Sequence, residues 1–177
     1  MPSNQHIDND AALIQACKEG NLKEVKRLLP RSTPEAYNSA AVRWAAEYGS
    51  LEIVQLLAPL SNLQSQGCFA VQAAAQYGRV EILKCLLEYD IPPATQRSAL
   101  ELAAPMYNAE IFKLLIPGSN YQQVLQNIQQ VNAERVSYGQ VDTTVLEQCI
   151  QEYENELQRQ RLEQAVTPAT TSSVRKI

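Results

Sequence analysis

The sequence predicts an all-α fold, a helical repeat solenoid of four helix pairs with a further C-terminal helical pair as a cap. Three observations carry this prediction. Ala-rich segments recur four times at a constant step of 29 residues. Each carries apolar residues at the three-and-four spacing of a helix face. In three of the four, a glycine stands between two such helical patterns. With 177 residues and a hydrophobic fraction of 45%, the chain is long and apolar enough for one packed domain.

The repeating segments are ALIQACKEGNLKEVKRLL from Ala12, AVRWAAEYGSLEIVQLL from Ala41, AVQAAAQYGRVEILKCLL from Ala70 and ALELAAPMYNAEIFKLL from Ala99. Leu13, Val42, Val71 and Leu100 begin an apolar stripe on a short first helix. Ala16 and Cys17, Ala45 and Ala46, Ala74 and Ala75, and Ala103 and Ala104 follow on the same face, small enough for neighbouring helices to approach closely. Gly20, Gly49 and Gly78 then end the first helix in a left-handed cap or tight turn. The second helix carries Val25, Val54, Leu83 and Phe112 in one column and Leu28, Leu57, Leu86 and Leu115 in another. One pair cannot bury its stripe alone, so the pairs stack. The pairs are expected at about 10–30, 34–59, 67–89 and 96–116, after a flexible leader over 1–9. Thr33-Pro34-Glu35 reads as a helix cap with proline at the first helical position.

Beyond Pro117-Gly118 the period is lost. Tyr121, Val124, Leu125, Ile128 and Val131 form one helical stripe; Val145, Leu146, Cys149, Ile150, Tyr153 and Leu157 form a second, with Asp142 placed to cap it. Residues 119–166 are read as a cap on the last repeat, or as an extension that self-associates through 142–166. The last helix carries Glu147, Glu152, Glu154, Glu156 and Glu163, read as a solvated face. Residues 167–177 have no apolar periodicity and are expected to be a flexible tail.

Composition narrows the function. A net charge of -4 does not attract phosphate backbones, so no nucleic-acid partner is expected. No apolar run approaches the roughly 20 residues needed to cross a bilayer, so no membrane insertion is expected. The polar N-terminus lacks the pattern of a secretory signal, which makes the cytoplasm the expected location. Cys17, Cys68, Cys85 and Cys149 are scattered without a CxxC pair and read as packing residues. His6 is the single histidine, which removes histidine-based triads and metal centres. No cofactor motif is present. Glu52, Glu81 and Glu110 share one column of the second helices and read as a solvated edge, so no enzyme is expected.

AAEYGSLEIVQLL and AAQYGRVEILKCLL are similar to the helix–turn–helix unit of the ankyrin repeat family, a resemblance that covers about 10–116 and is most specific in the middle two repeats. The chain departs from that family in period, 29 residues against about 33. In the column of the T-P-L-H histidine stand Ile14, Arg43, Gln72 and Glu101, and the linkers carry no hairpin signal. Reduced or absent β-turn fingers and extended first helices are therefore expected. Pro105, Met106 and Tyr107 make the fourth unit the most degenerate.

The resemblance implies a protein-binding module, an adaptor or inhibitor, whose first helices line a concave face. Carried over by column, that face includes Trp44, with Tyr48 and Tyr77 just before the turn glycines, Arg43 and Arg79 beside them, and Glu47, Gln76 and Met106 in the same two columns before the turn. Trp44 reads either as a partner contact or as a wedge against the preceding repeat, and the two tyrosines as contacts or as packing for the turns. A monomer is expected rather than a homodimer. The acidic cluster and Ser/Thr-rich tail are also similar to translocation signals of type IV-secreted effectors of intracellular bacteria, among which ankyrin repeats are common. That resemblance implies a site of action in a host cell.

Overall fold

The computed structural model describes residues 4–64, 69–134 and 141–166, with residues 4–8, 134 and 166 described by backbone alone. Among the described residues the α-helices are α1 (Asn4–Lys18), α2 (Leu22–Leu28), α3 (Ala36–Tyr48), α4 (Leu51–Leu57), α5 (Ala70–Gln76), α6 (Val80–Leu87), α7 (Pro93–Ala103), α8 (Ala109–Leu115), α9 (Tyr121–Glu134) and α10 (Thr144–Val166). No strand occurs among the described residues, so the fold is all-α. Helix α1 begins at Asn4, so residues 4–9 of the expected leader are helical. The Cys68 position and the 167–177 tail lie outside the described residues.

The repeat columns explain the two layers. Helices α1, α3, α5, α7 and α9 contact one another in succession, as do α2, α4, α6, α8 and α10. Every residue of the apolar and small-residue columns named above for the four repeats is buried. Two further columns mark where the stack begins. Ile53, Ile82 and Ile111 are buried between successive second helices, whereas the equivalent Glu24 is paired with Arg27 at 2.6 Å at the open end. Ala41, Ala70 and Ala99 are buried, whereas Ala12 is exposed.

The other end is closed by the last two helices. Leu146, Cys149 and Ile150 of α10 are buried, and Lys113 of α8 reaches Glu152 of α10 at 2.9 Å. Tyr121 and Tyr153 meet edge to face with ring centroids 5.8 Å apart, and the Tyr121 hydroxyl donates to Glu154. The start of α10 is fixed as the sequence suggests: the Asp142 carboxylate accepts from the Thr144 N–H at 2.9 Å.

Two polar columns run through the loops. The Asp10 carboxylate accepts from the Thr33 N–H at 2.6 Å, and one repeat later the Ser39 hydroxyl accepts from the Asn62 N–H at 3.1 Å. These bonds tie the start of each first helix to the segment after its second helix. They also correct the reading of Thr33-Pro34-Glu35, which forms a turn closed by the Ala36 N–H on the Thr33 carbonyl. No right-handed helix propagates from Pro34: within α3, Tyr37, Asn38 and Ser39 are left-handed, with φ of 53°, 57° and 57°, so its regular right-handed part follows Ser39. Pro93 instead opens an α-helix, as the first residue of α7.

Between the paired helices, Gly20, Gly49 and Gly78 have φ of 66°, 87° and 68°, and Tyr107 takes the same conformation at 52°. A side chain on Gly49 is disfavoured twice: the left-handed backbone is strained for L-residues, and a Cβ would stand 3.2 Å from the Arg79 Nε. Gly49→Ala is expected to lower stability by about 1–2 kcal/mol, measured by urea denaturation followed by circular dichroism. An unchanged midpoint would show that the turn does not need its left-handed residue.

Candidate functional site

The first-helix layer buries one stripe of each helix and leaves another exposed. The C-terminal half of α3 buries Val42, Ala45 and Ala46, so Arg43, Trp44, Glu47 and Tyr48 fall on or near the free side. The same register on α5 leaves Gln76 and Tyr77 exposed, and on α7 leaves Leu102 and exposes Met106 in the turn that follows. Tyr48, Tyr77 and Met106 are 54%, 46% and 52% exposed, a row of large apolar surface spread over three adjacent repeats.

Trp44 stands beside Tyr48 at the α3 end of this row. Its ring is half-buried and packs against the core, with the Tyr48 ring 6.0 Å away and tilted by 36°. Lys18 of the preceding repeat places its ammonium 4.1 Å from the centre of the Trp44 ring, and the Arg43 guanidinium lies 4.6 Å from it. Cation–π attraction of this kind contributes about 0.5–2 kcal/mol. Trp44 therefore packs on the preceding repeat and keeps part of its surface free.

The two tyrosines differ. The Tyr77 hydroxyl is held protonated above its ordinary 10.0 by its hydrogen bond to Glu47 and by the charge of that carboxylate, so α5 and α3 are linked across the face. The Tyr48 ring leans on Trp44. Arg79 is partly committed elsewhere: its Nε donates to the Glu47 carbonyl at 3.2 Å and its side chain covers Gly49, finishing the C-terminal end of α3. Arg43 has a buried Nε without a hydrogen-bond partner, and one repeat later Gln72 has a buried Oε1 in the same condition.

Lys18 and Leu102 belong to this face and were not singled out by the sequence, although both stand in the columns that contain Glu47 and Trp44. Val131 of α9 extends the exposed apolar surface and lines a groove of about 230 Å³ with Glu101, Asn127, Ile128, Asn132 and Val141. The Asn127 amide donates to Glu101 there at 3.1 Å, joining α9 to α7.

The described cysteines are free thiols. Burial pushes the Cys17 thiol up to about 12, and raises those of Cys149 and Cys85 as well, so none is activated as a thiolate. Among the described residues no group of three histidine, cysteine or acidic side chains is placed to hold a metal, and no helix is long and apolar enough to cross a membrane.

Residues 2–66 match the family model described as ankyrin repeats, three copies. The match spans the first two helix pairs, and the third and fourth continue the same 29-residue columns. No curated protein matches the chain significantly. Over residues 2–66 the chain is therefore similar to the ankyrin repeat family.

Proposed function

We propose that the chain is a non-enzymatic binding module, an adaptor or inhibitor that holds a partner protein on the exposed face of its first helices. Ankyrin repeats in general are protein–protein interaction modules. The observation that carries the reading here is the row formed by Trp44, Tyr48, Tyr77 and Met106 on that face. Trp and Tyr offer large, rigid contact area at low entropic cost and dominate interface energetics. Glu47 and Gln76 lie beside the row and suit a polar rim.

Catalysis finds no comparable support. A groove of about 390 Å³ lies between α4 and α6 and is lined by Leu51, Gln55, Glu81, Lys84, Cys85, Glu88 and Tyr89. Lys84 neutralises Glu81 at 2.8 Å, and burial keeps the Cys85 thiol protonated. Such a groove offers neither an activated nucleophile nor a poised acid–base pair.

The self-association reading is weaker for a related reason. The apolar stripe of α10 is spent on α8 and α9 and ends near Leu157. Beyond it Leu162 is 67% exposed but stands alone among polar residues. That is too little apolar area for a stable helical dimer. The glutamates of α10 are also largely engaged: Glu152 with Lys113, Glu154 with Tyr121, Glu147 with Thr143, and Glu156 and Glu163 with Arg159. They form pairs on the helix surface, as a solvated face does.

Two outcomes are expected. Trp44→Ala should weaken partner binding about tenfold or more in calorimetric titration, with thermal melting confirming a folded variant; unchanged affinity would remove Trp44 from the interface. Light scattering of the full-length protein should give a monomer over the micromolar range, and a concentration-dependent dimer would restore the α10 reading.

A further inference from the structure

We propose that the partner segment docked at Trp44 is acidic: a carboxylate-bearing stretch of another protein sets its Asp or Glu side chains against Lys18 and Arg43 and its apolar side chains against Tyr48 and Tyr77. This rests on the reading of the first-helix face as partner-binding and adds the chemistry of what binds there.

The first argument is uncompensated charge. The chain has 19 acidic and 15 basic side chains, so carboxylates are in surplus. Lys84 and Lys113 each take one, at 2.8 and 2.9 Å. Lys18 and Arg43 take none among the described residues; both are drawn instead to the Trp44 ring. The acids nearest to them in sequence are already used, since Glu19 accepts from Gln15 at 2.8 Å and Glu47 holds the Tyr77 hydroxyl. Two cations from neighbouring helices thus converge on one indole, and neither forms an ion pair with a carboxylate among the described residues. Opposite charge on a partner steers its approach and fixes its register there.

The second argument is hydrogen-bonding capacity left unused. The buried Arg43 Nε lacks an acceptor and the buried Gln72 Oε1 lacks a donor, and the two residues occupy one column on adjacent helices. An unsatisfied buried polar group costs about 1–3 kcal/mol. A docked peptide carries the groups that match them, a carboxylate oxygen for the guanidinium and a backbone N–H for the amide. Glu19 and Glu47 at the rim favour a singly charged carboxylate over a doubly charged phosphate.

The third argument is reach. Packed helices lie about 8–10 Å apart, so the row from Trp44 through Tyr77 to Met106 crosses two spacings, roughly 20 Å. About six extended residues cover that length. The segment that fits carries acid at one end and apolar side chains within the following six or so positions.

Selection of random 12-residue peptides from a display library on the full-length protein tests this directly, followed by titration of a selected peptide against variants that melt like the parent. Peptides enriched in Asp and Glu beside apolar residues are expected. Lys18→Gln with Arg43→Gln should weaken them at least tenfold, added salt should weaken them further, and binding should shift the emission of Trp44, the single tryptophan. Selection of neutral or basic peptides would overturn the proposal, as would a Glu-to-Gln copy that binds equally well. A phosphoserine copy binding tenfold tighter than the glutamate form would overturn it in favour of phosphate recognition. If Trp44→Ala abolishes binding while the Lys18/Arg43 pair is inert, only the acidic preference falls. If acidic peptides bind and Trp44→Ala is inert, the first-helix face itself is wrong.

Discussion

Neighbouring first helices approach one another across columns of alanine, and the rest of the molecule is arranged around that closeness. Ala45 and Ala46, Ala74 and Ala75, and Ala103 and Ala104 are all buried, with Ala16 and Cys17 in the equivalent places of the first repeat. Side chains this small leave no room for an extra methylene without displacing a helix, a change that typically costs about 1–3 kcal/mol. They add little apolar area of their own. The larger share of burial falls to the second helices, through Val25, Val54, Leu83 and Phe112 and the leucine column beside them. One layer sets the spacing and the other supplies most of the hydrophobic stabilisation. A repeat of this kind is stable only with neighbours, which explains the polar Glu24 at one end and the α9–α10 pair at the other.

The turns obey a second constraint. Each pair reverses direction through a left-handed residue, and the next helix is started by the column that follows it. Asn21 caps α2 by accepting from Glu24, and Asn108 caps α8 by accepting from Glu110 and Ile111. Where that column holds Arg79, the side chain is turned onto the previous repeat and closes α3 over Gly49. Tyr107 pays for its left-handed backbone in strain, and its hydroxyl accepts from the Asp142 N–H at 3.3 Å, a tie to the start of the closing helix.

Much of this was legible in the sequence, because a 29-residue step repeats the same physical demand four times. The buried columns, the turn glycines and the Asp142 cap could be read from residue type alone. Other features could not. Asp10 and Ser39 bond across 23 residues, a pairing with no local periodicity to announce it. The left-handed run at Tyr37–Ser39 contradicts the helical propensity of its flanks, so Pro34 was misread as a helix start. Lys18 stacks on Trp44 through a contact between repeats, and column alignment places such residues side by side without showing which long side chain turns toward which ring.

The exposed strip is what remains when these constraints are met. Tyr48, Tyr77 and Met106 are held at a spacing set by alanines beneath them and stay about half exposed, while Trp44 packs one side on the core and keeps the rest free. Large apolar residues placed there cost solubility without adding to the fold, which is the physical reason to read them as a contact surface. Backbone amide chemical-shift mapping by NMR, with the full-length protein and a bound partner protein, tests this most directly. The account places the largest changes on α3, α5 and α7, centred on Trp44, Tyr48 and Tyr77. Changes confined to the α4–α6 groove or to the far half of α10, with the first helices unmoved, would contradict it.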